Sequence, residues 1–314
     1  MQVFEFVKGK KFIDGAVIAI GFFDGVHIAH RSLIERAAKE ARERSLPLGV
    51  FTFSPESSIK PGAKRIYGTE QKLEILTELS VDFAVVADFI SVVDMTKEDF
   101  VKEVLVDSCG ARVIVAGYDF RFGKGASGNS DALVTLASEC GVEAVIVSRY
   151  EHRGEAASST LVRELLETAR TEEAAELLGA PYFVDGVVEH GLGIGSKSLG
   201  FATVNLPIRP YQISLAKGVY RVAVRTNSGV YSGVANVGTC PTFGERTVHT
   251  EVHIIDFNGD LYGKEIRVYF LGYLRPEMKF TSEKELKMQI DVDKKRAIEE
   301  NRGAKWIISG QSFR

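Results

Sequence analysis

Cysteine is scarce in this chain. Cys109, Cys140 and Cys240 are odd in number and widely spaced, which argues against a disulfide framework or a CxxC metal site and fits a reducing cytoplasm. Proline is sparse too, eight in 314 residues, and there is no low-complexity tract and no repeat of solenoid period. No apolar run reaches the roughly 18 residues that a membrane-spanning helix needs. The opening "MQVFEFVKGKKF" also lacks the apolar core of a signal peptide. Strong charge of one sign is missing: a formal net charge of -3 argues against general attraction to nucleic acid or anionic lipid. The expected partners are small molecules, with neither nucleic acid nor membrane among them.

What the chain does have is length and two rhythms. At 314 residues, 45% apolar and 26% charged, it exceeds what one core usually serves, and two domains are expected. From residue 16 to about 180, short apolar runs ("AVIAIGFF", "LGVFTF", "DFAVVADF", "RVIVAG", "VEAVIVS") alternate with helical segments such as "RSLIERAAKEARER", "EQKLEILTEL" and "KEDFVKEVLVDS". That alternation predicts an α/β doubly wound parallel sheet, whose ligands bind beyond the carboxyl ends of the strands. Gly179 and Pro181 stop the last helix of this half, placing the domains at 1–180 and 181–314. Residues 182 to 274 read as strands with turn signals at "TNSG" and "FNGD", which suit tight hairpins and a small antiparallel β-barrel. A C-terminal helix begins at "SEKELKMQ" with Ser282 as cap and Glu285 three residues on.

The chemistry concentrates at "GFFDGVHIAH". Gly21 and Gly25 bracket the end of a strand, and "HRSLIERA" opens a helix, so His27 and His30 stand at a helix N-terminus where backbone N–H groups and the helix dipole favour phosphate. Three residues apart, the imidazoles can share one side of a turn and donate hydrogen bonds to phosphate oxygens as charge builds. A strand–turn–helix with capping and packing histidines accounts for the same letters. Zinc would need a third ligand, and no further Cys or His cluster offers one. "GLGIGSKSLGFATVN" imitates a Walker A loop, but Ser196 stands where glycine is required before Lys197, and a strand follows in place of a helix.

"GFFDGVHIAH" resembles the HxGH-bearing signature of nucleotidyltransferases in the form used by bacterial bifunctional riboflavin kinase/FAD synthetases, with Ala29 at the family's glycine. "GYDFRFGKGASG" is similar to the family's Gly-Asp-Phe-x-Phe-Gly loop, through Gly117, Asp119 and Phe120. "ASSTLVR" resembles its Ser-Ser-Thr-x-x-Arg motif, through Ser158, Ser159, Thr160 and Arg163. The resemblance implies a Rossmann-like, HxGH-type nucleotidyltransferase domain in which the FMN phosphate attacks the α-phosphorus of ATP and pyrophosphate leaves. His27, His30 and Arg163 would stabilise charge, and Gly21, Phe22, Phe23 and Asp24 would line the ATP and flavin site.

In the second half, "GSKSLGFATVN" is similar to the riboflavin kinase pattern Gly-Arg-x-Leu-Gly-Phe-Pro-Thr-Ala-Asn. Ser196, Lys197, Ala202 and Val204 depart from it, while Thr203 and Asn205 match. "HTEVHIIDFNGDLYGKEIRVYFLGYLRPEMKF" resembles the kinase module's Glu-bearing strand with its Asp-Leu-Tyr-Gly, Arg and Lys-Phe elements. There the resemblance implies that Thr203 and Asn205 hold Mg²⁺ with the nucleotide phosphates, that Lys197 lies at the nucleotide and that Arg275 contacts flavin. Glu251 would accept the proton of the riboflavin 5'-hydroxyl as it attacks the γ-phosphorus of ATP. The expected enzyme is cytoplasmic and bifunctional: riboflavin to FMN in a riboflavin kinase-type barrel, FMN to FAD in the first domain, with ATP as co-substrate and Mg²⁺ in both steps. Two other readings stay open: retention of only one activity, given Ala29, Ser196, Lys197 and Ala202, and flavin binding without turnover.

Overall fold

A computed structural model describes residues 1–54, 64–189, 203–207, 209, 211–239 and 248–302, without the side chains of Thr203, Pro207, Thr239 and Val248. Ser196, Lys197, Ala202 and Cys240 lie outside the described residues. The chain forms two compact units, Met1–Ser159 and Thr160–Arg314.

In the first unit, strands β1 (Gln2–Glu5), β2 (Ala16–Ile20), β3 (Leu48–Phe53), β4 (Phe83–Ala87), β5 (Ala111–Gly117) and β6 (Glu143–Val147) build one sheet in the order β1-β4-β3-β2-β5-β6. Every pairing in it is parallel. Crossovers are α1 (Ile28–Arg44), α2 (Thr69–Glu78), α3 (Lys97–Asp99) and α4 (Ser130–Glu139). The "KEDFVKEVLVDS" run departs from a uniform α-helix: after Asp99 it winds as a π-helix over Phe100–Ser108, and Cys109 N–H reaches back five residues to Val104 O. A two-residue hairpin, β7 (Glu151–His152) and β8 (Glu155–Ala156), precedes the second unit.

β2, β3 and β4 are buried at every position, as strands covered by helices on both faces must be, which is why they read as continuous apolar runs. Gly49 of β3 pairs with Phe83 of β4, and a Cβ at Gly49 would stand 2.2 Å from the Phe83 ring. The glycine makes room for that aromatic. From β2 the chain winds through α1 to β3 on one side, while β5 lies on the other. The gap beyond the carboxyl ends of β2 and β5 is therefore the topological switch point, where open α/β sheets take their ligands.

All of α5 (Ser159–Glu167) but its first residue belongs to the second unit, and α6 (Thr171–Leu178) follows, ending at Gly179 with φ 75°. Strands β9 (Phe183–Val187), β10 (Thr203–Pro207), β11 (Gly218–Thr226), β12 (Gly229–Thr239), β13 (Val248–Ile254) and β14 (Glu265–Arg275) come next. They form an antiparallel sheet in the order β10-β13-β12-β11-β14-β9. Its edges meet at a bridge between Glu189 and Asn205, with Glu189 N–H donating to Asn205 O at 3.2 Å, so the sheet is a nearly closed six-stranded barrel. "TNSG" makes the expected hairpin, with Thr226 paired to Gly229. "FNGD" does not, because β14 pairs with β11 and β9 and is no neighbour of β13. That connection instead crosses the barrel, bending at Asp256 with φ 55°.

The last helix, α7 (Glu283–Arg302), starts where the cap signal places it. Glu285 N–H donates to Ser282 Oγ at 3.3 Å, while the Glu285 carboxylate reaches past Ser282 to accept from Thr281 N–H and Oγ at 3.0 and 2.9 Å. These bonds hold that carboxyl below its usual range.

Candidate active sites

In the first unit, the expected signature residues converge on the switch point. Gly21 follows β2 and Gly117 ends β5. Between Gly21 and α1 the backbone turns through Phe23 (φ 49°), Gly25 (φ 83°) and Val26 (φ 44°). Left-handed backbone is costly for a bulky or β-branched residue, at about 1–3 kcal/mol each. Phe23 and Val26 are both fully buried, so packing holds the turn in place.

That turn delivers His27 to the N-cap of α1, whose first turn holds no acidic residue to compete with an anion. The His27 and His30 rings stack with centroids 3.7 Å apart and planes 23° apart, and Phe23 meets His30 edge-on at 5.3 Å. Burial, then His27, then Lys72 push His30 well below the ordinary imidazole value. Its Nδ1 is buried with no hydrogen-bonding partner among the described residues. Burial thus favours the neutral form of His30, and imidazoles so placed are able to donate N–H bonds to phosphate oxygens or to take up charge as it develops.

Other expected residues are bonded to the protein itself. The Asp24 carboxylate accepts from Ile66 N–H at 2.9 Å, and its carbonyl from Ser159 Oγ at 2.8 Å, joining the signature turn to the Ser-Ser-Thr run. Phe22 exposes its ring and packs on Phe53 and Phe89, at 4.6 and 5.4 Å, with the Arg65 guanidinium 5.6 Å from its centroid. Asp119 Oδ1 lies 3.2 Å from where a Gly117 Cβ would be, and Phe120 stacks on Phe122 at 5.5 Å. Ser158 stands just before α5. Thr160 and Arg163 lie in the second unit, where Arg163 Nη2 donates to Thr160 Oγ at 3.2 Å.

Sequence reasoning missed Lys72. It is 3% exposed and its ammonium donates to Phe22 O, Thr52 Oγ and Phe53 O at 3.0, 3.1 and 2.7 Å. Thr52 Oγ also donates to Phe22 O at 3.1 Å. In "EQKLEILTEL" this lysine reads as one of the solvated charges of an amphipathic helix, and no spacing rule marks it.

In the second unit, β10, β13 and β12 set Asn205, Glu251 and Asn236 in one row, each directly opposite the next. Directly opposed residues share a face with Cβ atoms about 4.5–5.5 Å apart. Along β13, His249, Glu251 and His253 are half-buried while Thr250 and Val252 are buried, so Glu251 projects outward from the barrel core. Thr203 pairs with His253 through its backbone. Asn236, in register with Glu251, was not singled out from sequence, because pairing across strands is invisible there. Arg275 forms an ion pair with Asp293 of α7, from Nε at 3.1 Å and from Nη2 at 2.7 Å, and its Nη1 donates to Pro276 O at 3.0 Å.

Comparisons with known proteins bear on both halves of the chain. A family model for FAD synthetase matches residues 10–161, and one for riboflavin kinase matches residues 178–300. The bifunctional riboflavin kinase/FMN adenylyltransferase of Escherichia coli (strain K12) is 36% identical over 292 residues, covering 91% of this chain and 93% of that protein. Its counterpart in Bacillus subtilis (strain 168) is 33% identical over 293 residues, covering 90% and 92%. A crystal structure described as a macrolide-efflux protein from Streptococcus pneumoniae superposes with a TM-score of 0.86 at 29% identity, covering 98% of this chain and all of that one. Among the described residues, no helix is long and apolar enough to cross a membrane. With both family models matched in order along one chain, and the switch point and barrel each carrying a polar site, the chain belongs to the bifunctional riboflavin kinase/FMN adenylyltransferase family.

Proposed function

We propose that the two reactions of this enzyme are divided between residues 1–180, which adenylylate FMN, and residues 181–314, which phosphorylate riboflavin. The activities themselves come with the family; the proposal concerns which side chains carry them. In the first half, Gly21 to Asp24, Gly117, Asp119, Phe120 and the Ser158 to Thr160 run surround ATP and FMN, with His27, His30 and Arg163 on the phosphates. The FMN phosphate is itself the nucleophile, so the protein supplies positioning and charge stabilisation. The observation that carries this reading is the stacked histidine pair at the helix N-terminus on the switch point, with burial holding His30 well below the ordinary imidazole value. Asp24 and Ser159 act through the turn they brace.

In the second half Glu251 takes the proton from the riboflavin 5'-hydroxyl, and its register with Asn205 and Asn236 supports that role. Oxygen donors such as Asn205 and Thr203 suit Mg²⁺, a hard cation that leans on substrate phosphates and retained waters. When bound there it would neutralise phosphate charge. Lys197 would attend the nucleotide. Arg275 reaches flavin in this reading from a position already fixed by Asp293. The reactions take place in the cytoplasm, on small molecules.

Incubating the purified chain with riboflavin, ATP and Mg²⁺ and resolving flavins by chromatography tests the division. FMN is expected first and FAD second. His27→Asn or His30→Gln should leave FMN as the end product, and Glu251→Gln should block the route at riboflavin while supplied FMN still becomes FAD. If a histidine variant still made FAD at the parent rate, the first site would be wrongly assigned.

A further inference from the structure

We propose that Lys72 is a positioning residue for adenylyl transfer, fastening the carboxyl ends of β2 and β3 into one rigid floor beneath the histidine pair. The inference rests on the assignment of adenylylation to His27 and His30. Three acceptors converge on the ammonium: Phe22 O from the signature turn, Thr52 Oγ from within β3, and Phe53 O from its last residue. Burying a lysine is expensive unless its donors are satisfied, and an ammonium has three. This one therefore acts as a three-point clamp between two strand ends that the parallel ladder alone leaves loose.

The ladder of β2 and β3 ends at Ile20 and Phe51. Beyond it, Gly21 N–H still donates to Phe51 O at 3.2 Å. After that, the lysine and Thr52 hold the Phe22 carbonyl as the chain enters its strained turn. A turn with left-handed Phe23 and Val26 needs such anchoring, because strain persists only where the surroundings over-determine it. Tyr67, Arg65 and Asp24 line the same recess as Lys72, with Phe22 and Phe53.

The clamp has an electrostatic consequence. Among the described residues, the titratable or charged groups acting on His30 are His27 from its own helix and Lys72 from α2, and both favour the neutral ring. Lys72 thereby keeps His30 unprotonated to lower pH than the stack alone.

The test uses the full-length enzyme and Lys72→Met, which keeps the volume and removes both charge and donors. FAD formation from supplied FMN and ATP is followed from pH 5 to 9, with riboflavin phosphorylation in the same preparation as a control for folding. The expected result is a fall in kcat for FAD formation of about tenfold or more. KM for ATP should change less than about threefold, the acid limb of the profile should move to higher pH, and kinase turnover should stay unchanged. Imidazole NMR should show His30 titrating at higher pH.

Unchanged kcat and an unmoved acid limb in folded Lys72→Met would overturn the proposal. If Lys72→Met fails to fold, Thr52→Val decides. It removes one acceptor and one bond to Phe22 O without touching the charge, so kcat should drop several-fold with the acid limb in place; parent kcat would sink the clamp. His30→Gln separates the two readings. If it abolishes FAD formation while the Lys72 and Thr52 variants do not, only the clamp is wrong; if it too is silent, the site assignment itself has failed.

Discussion

Replacing Glu251 by Gln changes one oxygen to nitrogen at the centre of the Asn205–Glu251–Asn236 row. The side chain keeps its size, and the position is half-buried on the outer face of β13. Fold stability should therefore move by no more than about 0.5 kcal/mol. What disappears is a base able to accept the riboflavin proton. Positioned general bases contribute roughly 10²–10⁴ in rate, so riboflavin phosphorylation should fall by that factor, equivalent to about 3–5 kcal/mol of barrel-site transition-state stabilisation.

The loss should appear in kcat with riboflavin affinity retained, since flavin binding does not need the proton acceptor. Adenylylation of supplied FMN should proceed at the parent rate, because Glu251 is not among the groups assigned to it. Chromatographic separation of riboflavin, FMN and FAD over time, run once from riboflavin and once from FMN, measures both reactions in one preparation. Kinase turnover within about threefold of the parent would refute the reasoning and reduce Glu251 to a surface residue of an alternating strand.

The other expectations concern stability. Arg267 and Asp185 form a two-bond ion pair, at 2.5 and 2.8 Å, with side chains only 10% and 12% exposed and the Phe183 ring 3.9 Å from the guanidinium carbon. Arg267→Met removes both of these bonds to the buried carboxylate and should cost about 3–5 kcal/mol, read as a lower Tm of kinase inactivation; adding Asp185→Leu should restore most of it. Gly49→Ala drives a Cβ into the Phe83 ring and should destabilise the first unit by about 1–3 kcal/mol, with Gly49→Ala/Phe83→Leu partly recovering in a thermal melt. His30 should make that unit acid-sensitive. Its folded value lies well below the ordinary 6.5, so below pH 6.5 the unfolded chain binds the extra proton and stability falls with pH until the folded ring titrates too. His30→Gln should flatten that slope in melts recorded between pH 7.5 and 5, and an unchanged slope would show that other groups set it.

Much of this enzyme is written in one dimension. Continuous apolar runs such as "AVIAI" and "LGVFTF" mark strands buried on both faces, because burial on two sides leaves no polar alternation. Gly179 closes α6 and Ser282 opens α7 because helix ends must satisfy their own backbone groups locally. The histidine motif was equally legible, since a strand–turn–helix and its three-residue spacing are sequence-local. Tertiary structure decided everything that depends on which segments become neighbours. β5 sits beside β2, so Gly117 and Gly21 flank one crevice. β13 lies between β10 and β12, so Glu251 faces Asn205 and Asn236, and "FNGD" becomes a crossing in place of a hairpin. Lys72 is the sharpest case. Fifty residues from Phe22, on what reads as a solvated helix face, it became a buried clamp because α2 brings it to the strand ends. Hydrogen bonds between distant residues leave no periodicity along the chain to announce them.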